Sequence, residues 1–269
     1  MTDNTTRLLD IMAKLRDPDG GCPWDLEQDF ATIAPHTIEE AYEVADAIQS
    51  GDMMAVKDEL GDLLFQTVFY AQMGKERGLF DFDAIAGHIA DKMIRRHPHV
   101  FGEVSVNSAD DQVKHWEELK ARERAEKAAA SGIPPSALDG ITPGLPALTR
   151  AVKLQKRAAR VGFDWTQADE ILDKIEEEIG ELRAEIKARQ QDKARVQDEL
   201  GDVLFALVNL ARRLDVDPET ALRGTNFKFD RRFRFVEQAL GSQGKKPETS
   251  TLDDMEALWV EAKKTERQA

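Results

Sequence analysis

The 269-residue chain carries 51 acidic and 37 basic side chains, a formal net charge of −14, and so acidic a balance argues against a nucleic-acid partner. With 41% hydrophobic and 33% charged residues it is too apolar for a disordered acidic chain, and its length allows one large or two small domains. Its one cysteine, Cys22, can form neither an intrachain disulfide nor a cysteine-based zinc site.

The opening segment MTDNTTRLLDIMAKLRDPDG is acidic and has no apolar core of signal-peptide length. No later window holds the ~18 consecutive apolar residues of a membrane span, so a cytoplasmic protein without membrane association is expected. Abundant Ala, Leu, Glu, Lys, Arg and Gln, with few alternating β-branched runs, predict an all-α chain.

Beyond Trp24 in CPWD comes IEEAYEVADAI, Ile38 to Ile48. At about 100° per residue, Glu39, Glu40 and Glu43 share one helix face, with Ala41, Val44, Ala45 and Ile48 opposite. DELGDLLFQTVFYA, Asp58 to Ala71, sets Glu59 and Asp62 on a face that continues into Leu63, Phe69 and Tyr70. Leu60, Leu64, Phe65 and Val68 cover the rest of the circumference, the pattern of a central buried helix. KMIRR (Lys92, Arg95, Arg96) and HWEELK, with Trp116, follow.

Residues 121–146 run from a charged, alanine-rich stretch into Gly132, Pro134, Pro135, Gly140, Pro143, Gly144 and Pro146, which marks a linker. The second half then repeats the first block by block. Trp165 in GFDW precedes IEEEIGEL (Glu177, Glu178, Glu181), DELGDVLFALVNLA (Glu199, Asp202), KFDRR (Lys228, Arg231, Arg232) and ALWVEAK (Trp259). Two tandem helical-bundle domains are expected, residues 1–120 and 147–269, joined by 121–146. Gly61 and Gly201, within the DELGD turns, are expected to admit a neighbouring helix closely.

Carboxylates on an otherwise apolar helix are costly unless paired or metal-bound, and two per helix opposite further acids need a cation. Hard oxygen donors without histidine or thiolate suit Mg²⁺, or Mn²⁺, and the absence of Glu-x-x-His from both blocks excludes a di-iron bundle. One such block alone reads as a solvated acidic face with partners such as Glu185 with Arg189. Recurrence of both blocks, in order, in both halves favours the metal, with Glu40, Glu43, Glu59 and Asp62 forming a second site in the N-terminal half. Each histidine taken alone reads as a surface or capping residue.

Magnesium held by carboxylates commonly bridges to substrate phosphates, and phosphates need cations of their own. Lys228, Arg231 and Arg232 supply three within about a turn and a half, and Lys92, Arg95 and Arg96 do so in the first half. No Walker loop, G-x-G-x-x-G element or G-x-S-x-G elbow is present. Trp116 and Trp259 are candidates to stack on a base, or equally to sit in the core.

The combination of IEE-x-x-E, the ExxD of DELGD and KxxRR resembles the MazG nucleoside triphosphate pyrophosphohydrolases in their tandem form, over nearly the whole chain. The resemblance implies a dimerising all-α fold of four-helix-bundle type. It also implies Mg²⁺-dependent hydrolysis of (d)NTPs to monophosphate and pyrophosphate, a nucleotide-pool house-cleaning role. On it Glu178, Glu181, Glu199 and Asp202 look like metal ligands, and Lys174, Arg195, Lys228, Arg232 and Trp259 fall where the family contacts triphosphate and base. Glu177, beside the ligands, is the candidate general base.

The halves are not equivalent. Lys174, four residues before Glu178, answers to His36 before Glu40, and Arg195, four before Glu199, answers to Ala55. Fewer fixed cations in the first half predict that the second carries the main activity. A substrate as narrow as dUTP or a phosphoribosyl-ATP, or a non-catalytic cation-binding helical protein, are the competing readings.

Overall fold

The computed structural model describes residues 4–102, 108, 111, 119, 121 and 136–266. Among them the chain is all-α, with no strand, and it divides into two compact units, Met1–Lys120 and Ala121–Ala269. The HWEELK block with Trp116 lies largely outside the described residues.

The first unit comprises α1 (Asn4–Leu15), α2 (Pro23–Glu27), α3 (Phe30–Ser50), α4 (Met53–Glu76), α5 (Phe82–Arg96) and α6 (Pro98–Phe101). Asp29 starts α3 by accepting the Ala31 and Thr32 amides, while the Thr32 hydroxyl accepts the Asp29 amide in return. Gly51, at φ 77°, ends α3 in the left-handed region and Asp52 immediately caps α4. So short a link makes α3 and α4 an antiparallel pair, onto which α1 packs through α4. Met12, Ile33, Val68, Phe69 and Met73 form the core, each exposed by 1% or less.

The second unit repeats this arrangement with α7 (Ala147–Arg160), α8 (Ala168–Lys187) and α9 (Lys193–Arg213), then adds α10 (Pro218–Ser242) and α11 (Leu252–Glu266). Glu170 reaches back to the Thr166 and Gln167 amides to start α8, and Asp192 and Asp217 cap α9 and α10. The pair α8–α9 packs along its length, α7 lies on α9, and α11 packs on α10. Its core is built on Ile171, Ile175 and Ala206.

Two expectations are corrected here. The DELGD helices are not buried all round: Leu60 and Leu64 are 50% and 46% exposed, and Leu200, Leu204 and Leu207 are 47%, 48% and 44% exposed. Within its own unit each hairpin is covered on one side only. Nor does a helix approach at Gly61 or Gly201, where an added Cβ would meet nothing within 4 Å. Close packing does require a glycine at Gly74, where a Cβ would stand 2.5 Å from the Phe80 ring.

Candidate active site

Antiparallel pairing of α8 with α9 brings one carboxylate oxygen each of Glu178, Glu199 and Asp202 within 4.8 Å of one another. Glu178 is buried, Glu199 half-buried and Asp202 exposed. Burial, then the charges of Glu181, Asp202, Glu178 and Glu185, push the Glu199 carboxyl above its ordinary range. Glu181 therefore belongs to the same field although it stands outside the tight group. Three hard oxygen donors brought this close form a site short of positive charge, which fits a divalent cation of the magnesium class.

Part of that charge comes from Lys174, one turn earlier on α8. Its Nζ lies 2.8 Å from Glu178 Oε1 and 2.9 Å from Glu177 Oε1, and these two acids hold its proton well above the usual lysine range. Glu177 is itself exposed and stands beside the cluster through this shared lysine. Arg195 pairs instead with Glu185, at 2.5 Å, and borders an open depression that Asp202 also lines.

Against the cluster lies a chamber of about 320 Å³. Lys174, Glu178 and Asp202 form its polar edge, and Leu154, Ala158, Phe163, Trp165, Phe205 and Ala206 supply apolar wall. Leu138, in the segment expected as linker, also lines it. Three polar residues missed in the sequence, Gln155, Asp164 and Asn209, stand in this wall. Gln155 is 7% exposed and donates Nε2 to the Phe205 carbonyl at 2.8 Å, while its Oε1 has no partner. Asn209 is 4% exposed, and its Oδ1 accepts twice from Arg212, at 3.0 and 2.7 Å; Arg212 in turn pairs with Asp164. A glutamine on an amphipathic helix reads as surface, so the only available signal was its place on the apolar stripe of α7.

The basic group sits on α10 and α11, outside the chamber lining. Arg231 and Arg232 each pair with Glu266 at 2.7 Å, and Arg232 lies over Trp259, 5.7 Å from the ring centroid. Trp259 also packs on Phe229 at 5.1 Å, and Lys228 is half-buried on the preceding turn of α10.

The first unit assembles the equivalent acids differently. Glu40, Glu43 and Glu59 bring oxygens within 4.8 Å of one another, while Asp62 enters as a charge that, with burial and Glu43, raises Glu40. Burial, Glu43 and Asp62 raise Glu59. His36 meets Glu39 at 3.5 Å and packs edge-on to Trp24. Lys92, Arg95 and Arg96 occupy the last turns of α5. Counting from the aspartate that opens each DELGD block, Phe69 corresponds to Asn209. Phe69 is packed core.

The model of the MazG nucleotide pyrophosphohydrolase domain matches residues 28–101 and 167–236. Over 97% of both chains this one is 51% identical to the nucleoside triphosphate pyrophosphohydrolase of Escherichia coli (strain K12). It is 40% identical to the nucleoside triphosphate pyrophosphohydrolase/pyrophosphatase MazG of Thermotoga maritima, over 95% of this chain and 94% of that one.

Proposed function

Since the chain belongs to the MazG nucleotide pyrophosphohydrolase family, we propose that it hydrolyses nucleoside triphosphates to nucleoside monophosphate and pyrophosphate, chiefly through its second unit. The observation that carries this reading is the juxtaposition of the Glu178–Glu199–Asp202 cluster with an apolar chamber that shares Glu178, Asp202 and Lys174 as its edge. A nucleotide has a polyanionic end and a flat aromatic end, and the two halves of this site suit them respectively.

Glu178, Glu199 and Asp202, with Glu181 beside them, would hold a divalent cation, Mg²⁺ or its substitute Mn²⁺, which would supply neutralisation of charge on the triphosphate. Lys174 adds a fixed positive charge at the same edge. Arg195, Lys228, Arg231 and Arg232 receive the outer phosphates, the last lying over the Trp259 ring. Glu177 takes the proton from the attacking water, and the bond between the α- and β-phosphates breaks.

The first unit keeps an acidic cluster, and Lys92, Arg95 and Arg96 as phosphate contacts, but Phe69, the counterpart of chamber-lining Asn209, is packed into its core. It contributes to assembly more than to turnover. The exposed leucines of α4 and α9, with Ile179 39% and Ile186 50% exposed on α8, are the surface through which two copies pair as a homodimer. No helix among the described residues is long and apolar enough to cross a membrane; cytoplasmic nucleotide-pool cleansing, without nucleic acid as partner, is the setting proposed.

Product analysis tests the reaction. The purified chain is incubated with a panel of (d)NTPs, with and without Mg²⁺, alongside Glu178→Ala. Monophosphate and pyrophosphate that require metal and vanish in the variant are expected. Diphosphate and phosphate as products would place the cleavage elsewhere, and no turnover would overturn the enzyme reading.

A further inference from the structure

Resting on the reading of the chamber as the nucleobase site, we infer that Gln155 is a specificity-determining residue, whose Oε1 accepts an N–H from the edge of the base. The observation is a polar side chain only 7% exposed, in the wall of an otherwise largely apolar cavity, with one of its two polar atoms unpartnered. The orientation of the amide follows from its other bond. The Phe205 carbonyl can only accept, so the atom 2.8 Å from it is Nε2 and the free atom is the acceptor. Phe205 lies three residues after Asp202 on α9, so that bond ties the glutamine to the helix that carries the acids.

Glutamine and methionine have nearly the same length and volume, so packing alone gives no reason to carry an amide at this position. A buried acceptor left unsatisfied is costly, and a ligand that supplies its donor recovers that cost. The chamber therefore favours bases with an N–H on the edge, whether an exocyclic amine or a ring N–H, and rejects a base that offers none.

Calorimetric binding of adenosine 5′-monophosphate and of purine riboside 5′-monophosphate, which lacks the amine, reads this without turnover. The wild-type chain in Mg²⁺ binds the first about tenfold or more tighter. In Gln155→Met the ratio falls to near one, and because it is taken within a single protein, any general loss of folded material cancels. Equal affinities in the wild type, a ratio unchanged in the variant, or no binding of either nucleotide would overturn the assignment. Discrimination retained while no triphosphate is hydrolysed would overturn the enzymatic reading and leave this one standing; hydrolysis without discrimination would do the reverse.

Discussion

Lys174 Nζ and Glu178 Oε1 lie 2.8 Å apart, one helical turn from each other, at the edge shared by the acidic cluster and the chamber. In the proposed site the lysine would compete with a metal for Glu178 while offering its charge to a phosphate. Lys174→Met is expected to leave metal affinity equal or higher, measured calorimetrically, and to raise KM for a triphosphate about tenfold, the loss of one charge-assisted contact. Weakened metal binding in this variant would count against the arrangement.

Glu177 shares that lysine but stands outside the tight acid group. As general base its replacement by Gln should lower kcat by about 100-fold or more with metal affinity intact. Full turnover by Glu177→Gln would remove it from the mechanism.

Glu199→Ala and Glu59→Ala separate the two units. The first is expected to cost about 100-fold or more in kcat/KM, whereas the second should leave turnover within about twofold, because Phe69, packed into the core, stands where Asn209 lines the chamber in the second unit. Equal losses would sink the asymmetry. Filling the second unit's chamber with Ala158→Phe should raise KM for nucleotides and leave hydrolysis-independent metal binding unchanged.

Glu266 holds Arg231 and Arg232, and hydrogen bonds from Arg232 and then Arg231 keep its carboxyl below the ordinary glutamate value of 4.5. A depressed folded-state pKa means stability that is full above the unfolded value and lost as pH falls through the folded one. Wild type should therefore lose more Tm than Glu266→Gln between pH 5 and pH 3, on the order of the ordinary carboxylate range. At neutral pH the variant also frees two arginines, so KM for triphosphates is expected to fall.

The sign reverses at Glu199, whose folded pKa is raised by burial and by four neighbouring acids. Its neutral form stabilises the metal-free fold, and that contribution is lost as pH rises from the ordinary glutamate value through the raised one. Metal-free Glu199→Gln should accordingly melt above wild type at neutral pH, and divalent cation should raise Tm in wild type more than in the variant. A lower metal-free Tm in the variant would contradict this.

Periodicity in the sequence was sufficient for the all-α class, the tandem repeat and the acidic faces, because i, i+3 spacing on a helix puts two carboxylates on one side whatever surrounds them. The partner of each face was not legible in the same way. Arg195 meets Glu185, the DELGD leucines stay half exposed, and Gly61 and Gly201 face open space, since a helical period specifies which residues share a side and not what packs opposite. The chamber is the clearest case. Asn209 lines it where the corresponding Phe69 is packed into the core of the first unit, and Gln155 reaches it from α7, a difference of shape and polarity that only the packing of the helices brings to one place.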